Sequence, residues 1–202
     1  MGNEPFKQSD IDRSEYLRIT NVIRPFSGIE FVPEQYLTPA ASKGTLVHSY
    51  IESKLAGFEE PCDNDKITPY LNSFDKFWEV TKPTLKHGKI TLEKRLYCDV
   101  QKISGKADCI VEFPDKTLIF DWKTSSRPHK SWCLQAAGYR YLAETNGYPN
   151  VKDIVFVQLS KYGGKPKIYA YCEYESDLAR FFSCLDLYRF FDMANTRTWH
   201  ER

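Results

Sequence analysis

The chain contains 202 residues, of which 42% are hydrophobic and 27% are charged, proportions that favour one ordinary globular domain over residues 1–202. The formal net charge of +1 argues against a histone-like protein that binds nucleic acid by charge alone. No apolar run is long enough to span a membrane and the first residues lack a signal-peptide pattern, so we expect a cytoplasmic protein.

The first half of the chain has a helical pattern after an irregular start. Residues 1–14 are polar, and we expect them to be flexible. Three prolines and a glycine predict an irregular segment with short helical turns over residues 25–43. Apolar residues at helical spacing then predict helices over residues 44–55 and about 67–81, the second of which Pro83 should end.

The pattern then alternates, as is typical of strands. Three strands are predicted first, then a helix, two more strands and a final helix, at residues 89–98, 103–113, 116–123, 131–146, 151–159, 167–172 and 174–193. This order predicts an α/β fold with a mixed central β-sheet flanked by helices.

The second and third predicted strands form a hairpin whose register can be inferred from the sequence. If they pair across a two-residue turn at positions 114 and 115, Asp108 lies directly opposite Asp121. Asp108, Asp121 and Lys123 then share one face with Ile110 and Ile119. The other face is apolar throughout and carries Ala107, Cys109, Val111, Phe113, Leu118, Phe120 and Trp122. A shift of one residue would mismatch these faces, which supports the register.

Two carboxylates on directly opposite positions destabilise one another unless a proton or a cation lies between them. A divalent cation such as Mg²⁺ binds through one or two carboxylates together with water and phosphate. Lys123 is close enough to orient or deprotonate an attacking water, or to stabilise charge on a phosphate. Glu93, on the polar face of the preceding strand, could supply a third carboxylate. The alternative is a surface hairpin with ordinary exposed acids.

These residues resemble the RecB-like exonuclease branch of the PD-(D/E)xK nuclease superfamily. Gly105-Lys106-Ala107-Asp108 and Asp121-Trp122-Lys123 are similar to its G-x-x-D and D-x-K signature. Gly44-Thr45-Leu46-Val47-His48 resembles its G-T-x-x-H helix, and Glu93 stands where the branch often has an acid. The helix after the D-x-K strand carries a similar Q-x-x-x-Y element, from Gln135 to Tyr139. Segments 19–23 and 39–43 resemble the lead-in of phage-type single-domain members.

The resemblance implies an α/β domain with a restriction-endonuclease-like core. It also implies a deoxyribonuclease that uses Mg²⁺ or Mn²⁺ to hydrolyse phosphodiester bonds. It implies that His48, Asp108, Asp121 and the backbone carbonyl of Trp122 hold the metal, and that Glu93 binds it directly or through water. Lys123 would position the nucleophilic water.

Gln135 and Tyr139 lie four residues apart and so share a helix face, where the resemblance implies that they steady the site or the DNA backbone. Arg127 and Lys130 precede that helix and are weak candidates for DNA binding. Without the resemblance, Gln135 and Tyr139 could equally be a polar residue beside a half-buried aromatic. His48 alone would more often be a solvated or core histidine than a metal ligand. Glu52, one turn after His48, is a weak further candidate for a metal ligand.

The six cysteines are scattered without a C-x-x-C pair, so we expect reduced, mostly buried thiols. The iron–sulfur members of this branch need four clustered cysteines, so we expect no iron–sulfur cluster. No P-loop is present, and a helicase, recombinase or single-strand-binding protein would be a separate partner.

The preferred function is a DNA exonuclease in recombination, repair or phage DNA metabolism, located in the host cytoplasm if phage-encoded. A structure-specific or nicking endonuclease on the same site and an inactive nucleic-acid-binding module remain the alternatives.

Overall fold

The structure, a computed structural model, describes residues 15–58, 61–148, 150–171 and 173–194. The segment predicted to be flexible, residues 1–14, lies outside this part of the chain. The elements, in chain order, are β1 (Leu17–Arg18), α1 (Ile19–Ile23), two 3₁₀ turns (Arg24–Phe26 and Ile29–Phe31), α2 (Glu34–Leu55), α3 (Thr68–Leu85), β2 (Lys89–Cys98), β3 (Ile103–Glu112), β4 (Thr117–Lys123), α4 (Ser131–Thr145), β5 (Val151–Gln158), β6 (Lys167–Tyr171) and α5 (Tyr174–Ala194).

The described strands form one mixed six-stranded sheet. Its order is β1-β3-β4-β5-β6, and β2 pairs with β3 along nearly its whole length. β1 is parallel to the first residues of β3, and β5 is parallel to β4. The remaining neighbours are antiparallel. The predicted α/β fold with a mixed sheet flanked by helices is therefore confirmed.

Helices cover both faces of the sheet, and each face has its own hydrophobic cluster. Residues of α1, α4 and α5 form one cluster with β-strand residues that include Ile110 and Ile119. Residues of α2 and α3 form the other, with Cys109, Phe120 and Trp122. Burial on both faces explains why these strands carry few exposed polar residues. Among the described helices, none combines the length and apolar character needed to cross a bilayer.

The predicted helix boundaries were wrong at two prolines. α2 begins at Glu34 rather than at Gly44, so Pro39 lies inside it, and α3 continues past Pro83 to Leu85. A proline near a helix end removes only one backbone hydrogen bond, whose carbonyl can turn to water on an exposed face. The burial of Leu85, which is 4% exposed, supports the last turn of α3.

The hairpin register inferred from the sequence is confirmed over the four pairs that the strands make, from Glu112–Thr117 to Cys109–Phe120. The pairing ends one step before Asp108 and Asp121. On its other side, β3 pairs with β2 at Leu92–Cys109 and again at Lys94–Ala107, and the intervening residues do not pair.

The unpaired residue of β2 is Glu93, whose backbone is left-handed with φ +48°. One predicted face assignment fails here, because Ala107 packs in the same cluster as Ile110 instead of with Cys109. The pairs on both sides of the gap keep the same register, so no residue is inserted, yet Ala107 and Cys109 lie in clusters on opposite faces of the sheet. The sheet is therefore locally opened on both sides of Asp108.

The cysteines within the described residues are free thiols. Cys98 and Cys109 are buried, but Cys62, Cys133 and Cys184 are only half-buried, so the expectation of mostly buried thiols was too strong. Cys172 lies outside the described residues.

Candidate metal centre

Three elements bring a metal-ligand set together at the opened part of the sheet. His48 comes from α2, Glu93 from β2 and Asp108 from β3, and each offers a ligand atom within 4.8 Å of the others. His48 can reach the strands because Val47 and Ile51, on either side of it, are buried under the sheet and fix the rotation of α2.

Asp108 is held in place from two directions. Its Oδ2 atom accepts a hydrogen bond of 2.8 Å from the Trp122 N–H group, which the adjacent strand leaves unpaired at this point. Its Oδ1 atom lies 3.2 Å from His48 Nδ1. The Asp108 carboxylate thus accepts the hydrogen bond that a backbone carbonyl of β3 would otherwise accept from Trp122, and its other oxygen faces His48. In a strand, the N–H and C=O groups of one residue point the same way, so the Trp122 carbonyl also faces β3.

The second carboxylate, Asp121, is tied to Lys123 and Gln135. Asp121 Oδ1 lies 2.7 Å from Lys123 Nζ, and Oδ2 accepts a hydrogen bond of 2.9 Å from Gln135 Nε2. Lys123 Nζ in turn donates to Gln135 Oε1 at 2.9 Å. These contacts form a closed triangle in which the amide of α4 holds both charged groups of β4. Sequence reasoning placed the three residues near one another but missed this bridging role of Gln135.

Asp121 Oδ1 indicates that the site suits a cation. This atom is buried and makes no hydrogen bond of acceptable geometry within the described residues, although Lys123 Nζ is near it. The Lys123 ammonium offsets part of the charge on this oxygen, and a carboxylate oxygen has a second lone pair that can bind a cation. Carboxylate and carbonyl oxygens with one imidazole are a donor set that suits Mg²⁺ or Mn²⁺. The residues present therefore fit a divalent metal.

The pKa values of the titratable groups reflect burial together with the charges of their neighbours. Burial lowers the pKa of His48, but the charge and hydrogen bond of Asp108, with the charge of Asp121, raise it to about 9. Burial raises the pKa of Asp121; Lys123 opposes this effect and Asp108 adds to it. Burial likewise raises the pKa of Glu93, against the ion pair with Lys106. Without a metal, the protonated His48 is thus a counter-cation for the carboxylates.

Glu93 and Tyr139 lie on either side of Lys106. Glu93 forms an ion pair with the ammonium of Lys106, a partner that the sequence analysis missed because it comes from an unpredicted contact between β2 and β3. The Tyr139 hydroxyl donates a hydrogen bond of 3.0 Å to the carbonyl of Lys106, and burial raises its pKa, so it stays a donor. Its ring packs over Gly105. Tyr139 therefore supports the backbone of β3 next to Asp108.

Other predicted residues lie outside this cluster. Arg127 and Lys130 are exposed on the segment between β4 and α4. Glu52 is exposed on α2, and it is not part of the three-residue group found among the described residues.

Metal binding should depend on pH in a defined direction. Because the pKa of His48 is higher in the folded protein than in the unfolded chain, its ion pair stabilises the metal-free protein fully below about pH 6.5. This contribution is lost as the pH rises through about 9. The raised pKa of Asp121 acts in the same direction at lower pH, since ionising it costs free energy in the folded state.

A divalent cation must displace the His48 proton, so metal binding should strengthen with pH. We expect the increase in Tm produced by Mn²⁺, followed by differential scanning fluorimetry, to be larger at about pH 8.5 than at about pH 6. His48→Gln should reduce this difference. An equal increase in Tm at both pH values in the wild type would contradict the assignment of His48.

The structure is similar to solved structures of proteins with very different sequences. The sequence matches no protein-family model and no curated protein. A crystal structure of a proposed exonuclease from Eubacterium rectale aligns with a TM-score of 0.57 at 12% identity, over 99% of this chain and 90% of that chain. The crystal structure of a protein named SSO0001 aligns with a TM-score of 0.51 at 16% identity, over 89% of this chain and 79% of that chain. These similarities establish that this chain has the restriction-endonuclease-like fold predicted from its sequence.

Proposed function

We propose that this protein is a metal-dependent DNA exonuclease of the RecB-like branch of the PD-(D/E)xK superfamily. The observation that carries the proposal is the convergence of His48, Glu93 and Asp108 within 4.8 Å, at a break in the sheet next to Asp121 and Lys123. Three separate elements supply these groups. If the acids were ordinary exposed residues of a surface hairpin, nothing would bring a histidine from α2 next to them. The likeness in fold to a proposed exonuclease supports the same function.

The metal would be Mg²⁺ or Mn²⁺, held by His48, Glu93 and Asp108, with Asp121 and the Trp122 carbonyl as further ligands. When bound, such a cation polarises a phosphate oxygen and lowers the pKa of water. The carboxylates repel one another at this short range, so a cation held between them would be stabilised. Their burial keeps bulk water away, which strengthens the attraction for the metal.

Lys123 would orient the attacking water or stabilise charge on the phosphate. Its ammonium is only partly exposed and is held by Asp121 at 2.7 Å and by Gln135 at 2.9 Å, so its position is fixed before substrate arrives. A preorganised charge of this kind lowers the barrier because little reorganisation is needed during the reaction. Gln135 would act as a positioning residue, and Tyr139 would steady the strand that carries Asp108.

A comparison of linear and covalently closed circular DNA tests this function. With Mg²⁺, we expect the protein to degrade end-labelled linear DNA and to leave a closed circle intact, and we expect chelation of the metal to abolish degradation. Cutting of the circle would show that the protein acts as an endonuclease, with the same site, and not as an exonuclease. Metal-independent binding of DNA without any cleavage would contradict catalysis and indicate an inactive binding module.

The biological setting would be recombination, repair or phage DNA metabolism, with any helicase, recombinase or single-strand-binding protein supplied by a separate chain. Mixing the protein with such partners should then change the rate of DNA degradation without changing the requirement for metal.

A further inference from the structure

A basic groove is lined by residues of α2 and of the segment that follows β4. It consists of two adjoining cavities, of about 740 and 260 Å³, that share Tyr70 and Lys161 in their walls. One wall comes from α2 and the start of α3, and the other from the segment after β4 and the loop between β5 and β6. We call it the lysine groove and define it by these two sets of wall residues.

The charge of the lysine groove differs from that of the whole chain. Among the described residues, five lysines and one acidic residue, Asp65, line it, whereas the chain has a formal net charge of only +1. The lysines are Lys43, Lys66, Lys161, Lys165 and Lys167. A row of ammonium groups in a concave surface attracts a polyanion and releases its counterions. The groove is thus suited to a phosphate backbone.

Two exposed tyrosines stand at the lysine groove. Tyr36 is 63% exposed and Tyr162 is 83% exposed, although aromatic rings are normally covered in a folded protein. The loop carrying Tyr162 is anchored to α3, because Lys76 Nζ donates to the Gly163 carbonyl at 2.6 Å and the Ser73 hydroxyl accepts from the Ser160 N–H at 2.9 Å. Tyr162 is therefore presented to solvent on a fixed support.

The lysine groove is lined by residues that neighbour the proposed catalytic residues in the chain. Thr124, Ser125 and Ser126 line it and directly follow Lys123 in the chain. On the other wall, Lys43 donates a hydrogen bond of 3.0 Å to the Tyr70 hydroxyl and lies on α2 just over one turn before His48. A strand bound in the groove would thus pass residues that lie next to Lys123 and within two turns of His48 in the chain.

We propose that the lysine groove binds a single strand of DNA, with the lysines on its phosphates and with Tyr36 and Tyr162 stacked on its bases. The bases of a duplex already stack on one another, so exposed tyrosine rings are useful only to an unpaired strand. Lys161 Nζ lies 5.0 Å from the centroid of the Tyr162 ring, so a base would stack on the other face of that ring. This inference rests on the proposed function for its choice of DNA, but the binding itself requires no catalysis.

The test is binding in the presence of EDTA, where no hydrolysis occurs. An oligothymidylate of about 20 nucleotides carrying a fluorescent label is titrated with protein, and anisotropy is measured. Tyr36→Ala and Tyr162→Ala should each weaken binding by about tenfold, whereas Tyr36→Phe and Tyr162→Phe keep the ring and should bind as the wild type does. A blunt duplex of the same length should bind more weakly than the single strand.

The lysines are tested by salt dependence. Lys161→Ala and Lys165→Ala should each reduce the slope of log affinity against log salt concentration by about 0.7. The matched control is Lys152→Ala, an exposed lysine near the opposite end of β5, about 20 Å along the strand from Gln158. This control should leave both affinity and slope unchanged, and thermal unfolding verifies that each variant is folded.

The outcomes separate the groove from the nuclease. Loss of binding in the tyrosine variants, without cleavage of any DNA by the wild type, would support the groove and overturn the proposed function. Wild-type affinity in all four groove variants (Tyr36→Ala, Tyr162→Ala, Lys161→Ala and Lys165→Ala), with cleavage intact, would overturn the proposal that the groove binds DNA. It would leave the proposed function standing. Tighter binding of the duplex than of the single strand would also overturn the proposal that the groove binds single-stranded DNA.

Discussion

Asp108→Asn is expected to reduce Mg²⁺-dependent hydrolysis of DNA by about a thousandfold or more, which corresponds to roughly 4 kcal/mol of transition-state stabilisation. The amide oxygen of asparagine can still accept the hydrogen bond from Trp122 N–H, so the fold around β3 should persist. The substitution removes the negative charge that faces His48 and the metal. The rate of release of label from end-labelled DNA measures the effect.

The control for this substitution is Asp115→Asn, in the turn at the opposite end of the same hairpin. Asp115 is exposed and far from the three-residue group, so this variant should keep the wild-type rate. Both variants should show Tm values within a few degrees of the wild type in the absence of metal. Full activity of Asp108→Asn would contradict the assignment of Asp108 as a metal ligand.

Gly105→Ala is expected to lower the free energy of unfolding by about 1–3 kcal/mol. A Cβ atom at this position would lie 2.6 Å from Tyr139 Cε1 and 3.0 Å from Leu142 Cδ1. The ring cannot move away freely, because Tyr139 is 4% exposed and its hydroxyl is bonded to the Lys106 carbonyl. Urea denaturation measures the loss. Activity should fall as well, since any shift of Tyr139 moves the strand that carries Asp108.

Gly44→Ala is the matched control for the steric argument. Gly44 lies inside α2, and an added Cβ would meet only Thr124 Oγ1, at an ordinary contact distance of 3.5 Å. Alanine in a helix is favoured over glycine by about 0.5–1 kcal/mol, so this variant should be as stable as the wild type or more stable. Equal losses in the two variants, or no loss in Gly105→Ala, would contradict the close packing of Tyr139 on Gly105.

The hairpin shows what a sequence pattern can predict. Alternation of side chains has a period of two residues, so matching the apolar faces of β3 and β4 left one register, and that register is the one observed. The helix and strand order was predictable for the same reason, because long segments carried a consistent period. The two-residue strand β1 was missed since two residues show no period at all.

The sequence could not predict the irregularity that creates the site. The missing pair between Glu93 and Asp108, and the left-handed backbone of Glu93, depend on contacts among three elements distant in the chain. Local preference would favour a glycine or an asparagine at a positive φ, so a glutamate there gave no signal. The start of α2 and the end of α3 were misplaced because a proline near a helix end costs only about one backbone hydrogen bond. Burial of Leu85 supports the turn after Pro83, whereas the residues around Pro39 are mostly exposed and no burial explains the helix there.

The identities of the proposed site residues could be predicted from the sequence, but the contacts between their side chains could not. Spacing and resemblance identified Asp121, Lys123 and Gln135, yet the triangle they form requires α4 to cross over the end of β4. The ion pair between Glu93 and Lys106 gave no signal in the sequence, because both residues lie in strands where charged side chains usually face solvent.

Anomalous X-ray diffraction from crystals grown with Mn²⁺ tests the central claim most directly. We predict a manganese peak within coordination distance of His48, Glu93 and Asp108, and no such peak in crystals of Asp108→Asn. A wild-type structure with this position empty while Mn²⁺ supports DNA cleavage would show that the catalytic metal binds elsewhere.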